Sequence, residues 1–308
     1  MGISEGTRSY HLNLDEAFAA YEGVRARLPE PRQRGACVSL PDLDALAEDF
    51  DTFFLDAFGV LNIGETAIPG VPERVARLQA AGKRVLIVSN AAGFPHASLM
   101  EKYTRLGYDF APEDVITSRK ALLHGLRSLP NRHFGLMATE NLGRADLEAL
   151  NVTYLAEDPD VYAEVEAFLL IGSAVWTQER QELLEDALRR NPRPVYVGNP
   201  DIVAPRESGF STEPGAFAHR LADATGLMPE FYGKPFGTIY DLAFERVPTA
   251  DKARTLMVGD SLHTDILGGQ TAGIGTALIA GYGFFAGADV HAHISAAAIY
   301  PDFILDRP

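Results

Sequence analysis

Two hydrophobic rhythms alternate along this chain. Short, nearly continuous apolar runs mark strands buried on both faces. They are separated by stretches in which apolar residues recur every three or four positions, the mark of amphipathic helices. Leu12, Leu14, Phe18, Tyr21, Val24 and Leu28 predict a docking helix over 11–28, and Pro29, Pro31 and Gly35 break the chain after it. The pattern then predicts a buried strand at 51–61, a helix at 72–81 closed by Gly82, and a second buried strand at 84–90. A helix at 96–106, a short strand at 115–117 and a helix at 119–129 follow. From about Pro130 the alternation restarts, with strands at 134–138, 152–155, 167–171 and 194–197 and helices at 179–190 and 216–225. After Gly226 the first unit resumes: a helix at 238–244, then strands at 255–258, 276–280 and 303–305. Repeated strand–helix–strand units with right-handed crossovers predict an α/β fold built on a doubly wound parallel sheet, with a second α/β layer from the restarted segment.

Bulk properties narrow the function. A 46% hydrophobic and 22% charged composition is that of an ordinary globular enzyme. A formal charge of −15 argues against a nucleic-acid partner, and it means that an anionic substrate needs local cations. A single cysteine, Cys37, excludes an internal disulfide framework and fits a reducing cytosol. No apolar run approaches the ~20 residues of a membrane span, so a cytoplasmic protein with no membrane partner is expected. No Gly-x-Gly-x-x-Gly loop, Walker-type loop or Gly-x-Ser-x-Gly elbow is present.

Candidate chemistry gathers at strand ends. In a doubly wound sheet, ligands bind beyond the carboxyl ends of the strands. Three buried strands end there in polar residues: Asp56, Ser89-Asn90 and Gly259-Asp260. Gly233-Lys234-Pro235 holds a lysine in a tight frame, and Asp265 follows Asp260 by five residues on a loop entering a helix. Converging carboxylates suit one hard divalent cation such as Mg²⁺. A hydroxyl, an amide and a lysine around it suit phosphoryl oxygens. Taken singly, these residues read as caps and turns; their order and spacing carry the case. Trp176, Phe231 and Tyr232 read as core or interface residues.

Asp56 through Leu61, Val88-Ser89-Asn90, Gly233-Lys234-Pro235 and Arg254 through Asp265-Ile266 together resemble the haloacid dehalogenase (HAD) superfamily. The likeness is to the subgroup of nagD-like and 4-nitrophenylphosphatase-like hydrolases with a large α/β cap. Ile68-Pro69-Gly70, Thr117-Ser118, Asn199-Pro200-Asp201 and Pro214-Gly215 add to the match, which spans roughly 50–283. The resemblance implies a discontinuous core of 1–128 plus 229–308, a cap of 129–228, a small phosphorylated substrate and a homodimer through the cap. It makes Asp56 the nucleophile that forms an aspartyl-phosphate. It assigns Mg²⁺ to Asp56, the Phe58 carbonyl and Asp260, with Asp265 behind them, and gives Ser89 and Lys234 to the phosphoryl group. Asn90 is expected to bind substrate beside Ser89 and Lys234; Asn199, Asp201 and the 205–214 loop are expected to contribute to substrate choice, although turn chemistry accounts somewhat better for these three.

One position departs from the family pattern. Its first motif reads Asp-x-Asp, the second Asp being the general acid, and that position here is Phe58. General acid catalysis is worth ~10²–10⁴-fold, so alkyl phosphates should suffer more than aryl ones. Three readings follow: a phosphatase that recruits another acid, with His263 nearest in sequence unless it is a solvated loop residue; a HAD hydrolase acting on carbon–halogen or carbon–phosphorus bonds; or a binder of phosphorylated ligands.

Overall fold

Seven strands lie side by side in the order Val38–Leu40, Phe303–Leu305, Gly275–Ile279, Thr255–Gly259, Thr52–Leu55, Arg84–Ser89 and Val115–Thr117. Every neighbouring pair is parallel. The computed structural model describes residues 12–31, 34–142, 144–206 and 209–308. Residue 11 of the expected first helix and residues 207–208 of the 205–214 loop lie outside them.

The apolar runs are buried on both faces because successive side chains point to opposite sides of a strand. Phe53, Leu55, Val85, Ile87, Leu256 and Val258 pack on one face with Leu43, Leu46, Val75, Leu99 and Tyr103. Phe54, Leu86, Val88 and Met257 pack on the other with Ala121, Leu122, Ile239 and Tyr240. The sheet is thus doubly wound, as the alternation predicted. Leu55 is in register with Val258 on one side and Ile87 on the other, so the residues that follow all three strands emerge at one level.

A second parallel sheet runs in the order Glu230–Phe231, Val195–Val197, Ala167–Leu170, His133–Met137 and Asn151–Tyr154. One face carries its own helices, with Phe168, Leu170 and Val197 against Leu184, Leu188 and Leu221. The other places Phe134, Leu136 and Leu169 in the same apolar cluster as Leu122 and Leu126 of the Ser118–Leu126 helix, which joins the two layers. Because Glu230–Phe231 pairs with Val195–Val197, this sheet runs past the boundary expected at 228.

The N-terminal helix is Leu14–Gly23, begun by a capping box in which Asn13 and Glu16 bond reciprocally. It docks on both layers. Ala17 and Tyr21 share a cluster with Leu262, Ile266 and Phe284 from one layer and Ile202, Val203 and Phe210 from the other. Leu12 exchanges two backbone hydrogen bonds with Phe210, at 3.1 and 3.0 Å.

The N-terminal helix is shorter than the 11–28 expected, and the helix expected over 119–129 ends at Leu126. Other elements begin and end within a residue or two of expectation, but the strand expected over 51–61 stops at Leu55. Gly59, at φ +74°, turns the chain there, and Val60 and Leu61 are buried without being extended. Sequence pattern also missed the Val203–Pro205/Phe210–Thr212 hairpin and the Val290–Ala297 helix. Among the described residues no helix is long and apolar enough to cross a membrane.

Candidate active site

Asp56, Ser89 and Asp260 follow or end three adjacent central strands, at the level set by the register of Leu55. Lys234 comes from the loop between the last strand of the second sheet and the Gly237–Arg246 helix. Its ammonium is 2.7 Å from Asp56 Oδ1 and 2.6 Å from Asp265 Oδ1, and the side chain is only 2% exposed. Burial works against that charge, but the Asp265 and Asp56 carboxylates more than offset it and hold the lysine above its ordinary value. Asn90 fixes the lysine's backbone: its Oδ1 accepts the Lys234 N–H at 2.8 Å and its Nδ2 donates to the Lys234 carbonyl at 2.9 Å.

Asp265 uses both oxygens internally, one on Lys234 and the other accepting the Ser261 N–H at 3.1 Å. A π-type turn over Leu262–Ile266, with the Ile266 N–H reaching back to the Ser261 carbonyl, lets the side chain fold inward this way. Asp260 accepts the Phe284 N–H at 2.8 Å through Oδ2. Gly59 and Gly283, both in the left-handed region, pass so close to Asp260 that a methyl on either would collide with its carboxylate.

Asp56, Asp260 and Asp265 can each bring an oxygen within 4.8 Å of the others. Burial, then the like charges of Asp265 and Asp56, push the Asp260 carboxyl well above its ordinary value. One ammonium faces three carboxylates, and a cation would relieve that excess. The second oxygens of Asp56 and Asp260 make no hydrogen bond among the described residues, so this donor set fits a hard divalent ion.

Asp56, Asp260 and Lys234 open on a cavity of about 1610 Å³ between the two layers. Ser89, Asn90, Phe58, Asn199 and Asp201 line it as well. Asn199 makes a turn bond, its Oδ1 accepting the Asp201 N–H at 3.1 Å, and donates to Glu213 Oε2 at 3.2 Å. Asp201 reaches across to the first layer, where its Oδ1 accepts from Asn90 Nδ2 at 2.7 Å. Trp176 lines the cavity wall, whereas Tyr232 belongs to the shared core and Phe231 stacks between His219 and Phe236.

His263 requires a correction. It is neither solvated nor among the cavity-lining residues: it is 0% exposed, stacked on Tyr21, with Nε2 2.6 Å from Glu22 Oε1. The π-type turn aims it at the N-terminal helix instead. That helix also brings Tyr21 to the cavity, a placement its apolar spacing signalled only as docking.

Residues 53–153 match the family model described as haloacid dehalogenase-like hydrolase, and residues 231–307 match the one described as HAD-hydrolase-like. A glycerol-3-phosphate phosphatase of Gallus gallus is 33% identical over 259 residues, covering 76% of this chain and 80% of that protein. The chain belongs to the haloacid dehalogenase-like hydrolases. An acid sugar phosphatase of Staphylococcus aureus is 27% identical over 230 residues, 74% of this chain and 86% of that one. Among solved structures, a possible sugar phosphatase of this superfamily from Cytophaga hutchinsonii superposes with a TM-score of 0.77 at 24% identity, covering 88% of this chain and 98% of that one. A haloacid dehalogenase-like hydrolase from Brucella suis superposes at 0.72 and 26% identity, covering 87% and 99%. The first match runs on through His133–Met137 and most of Asn151–Tyr154 of the second sheet, and the second match resumes at Phe231. All strands of the second sheet fall in sequence between Val115–Thr117 and Thr255–Gly259 of the first, so this HAD hydrolase carries an inserted α/β layer above its site.

Proposed function

We propose that this HAD hydrolase is a Mg²⁺-dependent phosphatase of small phosphorylated metabolites, its seven-stranded layer, from 1–128 and 229–308, acting as the core and its second α/β layer as a cap. The observation that carries the reading is the buried Lys234 ammonium, clamped between Asp56 and Asp265 beside Asp260.

In this reading Lys234 orients Asp56 into the cavity, ready to attack phosphorus in line with the leaving oxygen. The phosphoryl group passes from the substrate oxygen to the Asp56 carboxylate, and water then hydrolyses the aspartyl-phosphate. Ser89 donates to the transferring phosphoryl oxygens, and the Lys234 charge offsets theirs. Asn90 positions Lys234 and the cap. Asp56, the Phe58 carbonyl and Asp260 would hold Mg²⁺, with Asp265 bracing Lys234 behind them. Bound there, the cation supplies electrostatic stabilisation of the phosphoryl oxygens. The cap excludes water and contacts the leaving group, and a cavity this size admits substrates larger than a bare phosphate.

The experiment is turnover of 4-nitrophenyl phosphate with Mg²⁺ by wild type and Asp56→Asn. Wild type turns over and the variant falls to the uncatalysed background; equal rates would refute the reading. A pure binder, the second reading, has no use for a clamped nucleophile, and it is what equal rates would leave.

A further inference from the structure

We propose that Asp201, reaching down from the second layer, is the proton donor to the leaving-group oxygen; this rests on the phosphatase reading above. The carboxylate is held at the site by Asn90, which follows Ser89 and grips the Lys234 backbone, so Asp201 is one residue removed from both phosphoryl-binding groups.

Elimination points to the same group. Phe58 lines the cavity but has a hydrocarbon side chain. Lys234 spends its ammonium on Asp56 and Asp265, and Asp56 and Asp260 form the candidate metal pair. Glu213 also lines the cavity, but it takes hydrogen bonds from Arg206 and Ser211 on Oε1 and from Asn199 on Oε2. His263 points elsewhere. Outside the candidate metal pair Asp56 and Asp260, Asp201 alone of these acids has one oxygen fixed, Oδ1 on Asn90, and a second that makes no hydrogen bond among the described residues.

Its environment keeps it protonated at neutral pH. Burial pushes the carboxyl up to about 8 against the pull of the Asn90 amide and the Lys234 charge, and Asp56 and Glu213 add to the rise. Tyr21, on the N-terminal helix, faces it uncharged, held well above its ordinary value by burial and by Asp201 itself. With Oδ1 accepting from Asn90, the proton resides on Oδ2.

The step balances. Asp56 forms its bond to phosphorus as the phosphorus–oxygen bond to the leaving group breaks. The electron pair stays on that oxygen, which takes the Asp201 proton and departs as an alcohol. Asp201, now a carboxylate, accepts a proton from the water that attacks the aspartyl-phosphate. Phosphate leaves, and Asp56 and Asp201 return to their starting states.

The test compares wild type and Asp201→Asn, with Mg²⁺, on 4-nitrophenyl phosphate and on propyl phosphate. Asparagine keeps an oxygen for Asn90 and loses the acid. The expected result is a kcat lower by ~10²–10⁴-fold on the alkyl ester and by less than about tenfold on the aryl ester. For wild type on propyl phosphate, kcat/KM falls as pH rises through about 8, and that limb vanishes in the variant. Equal losses on both esters, the signature of a latch between layers, would overturn the proposal, and so would no loss on either. Wild type inactive on both esters would instead overturn the phosphatase reading itself, and the proposal with it.

Discussion

Two side chains dominate the residue scale, one by its charge and one by its lack of it. Lys234 is the sole ammonium against three carboxylates in a buried cluster, so its removal leaves uncompensated charge. Lys234→Met should lower the unfolding free energy by ~3–5 kcal/mol in metal-free buffer at neutral pH, read by urea denaturation. Burial already pushes the Asp265 carboxyl up to about 6 against the pull of Lys234. Without the lysine it takes up a proton more readily folded than unfolded, so the deficit shrinks as pH falls and grows as it rises. Phe58 is the opposite case. Phe58→Asp places a second acid at the cavity wall and should raise rates on alkyl phosphates more than on aryl ones, compared as kcat ratios for propyl and 4-nitrophenyl phosphate. Asp56, Ser89, Asp260 and Lys234 were legible in the sequence because each sits at the end of a short local pattern. The pairing of Asp201 with Asn90 was not, because it joins residues from two sheets and depends on how the layers dock. His263 misled for the related reason that sequence proximity to Asp260 says nothing about which way a π-type turn aims a side chain.

At the scale of elements, glycines decide where the acids can go. Gly59 and Gly283 approach Asp260 from two loops, and both adopt a conformation that costs a residue with a Cβ roughly 1 kcal/mol or more. Gly59→Ala should therefore displace Asp260, and the Mg²⁺ concentration for half-maximal activity should rise ~10–100-fold, measured by titrating metal against 4-nitrophenyl phosphate turnover. The same glycine explains why the apolar run 51–61 reads as one long strand and folds as a short strand plus a turn: Val60 and Leu61 are apolar because they are buried, not because they are extended. Strands and long helices were otherwise readable, since burial on two faces and on one face leave different periods in the sequence. The Val203–Pro205/Phe210–Thr212 hairpin was not, since each of its strands has one buried position and two half-buried ones and so leaves no continuous apolar run.

On the scale of the molecule, a chain of charge −15 must bring an anion to an acid cluster whose positive charges are Lys234 and the Mg²⁺ it would hold. Screening by salt weakens that background repulsion, from a Debye length of ~30 Å at 0.01 M to ~8 Å at 0.15 M. KM for a dianionic phosphate should fall over this range at saturating Mg²⁺, as initial-rate kinetics would show; a rise would mean that local attraction from Lys234 outweighs the global field. The N-terminal helix has a consequence at the same scale. Leu12 and Tyr21 grip the hairpin and Ile202 of the upper layer while the helix rests on the lower one, and none of its residues falls within the family-matched segments 53–153 and 231–307. A shortened version beginning near residue 30 would therefore keep every recognisable hallmark of the superfamily and yet lose its strap, leaving the roof of the chamber to swing loose over machinery that is otherwise whole.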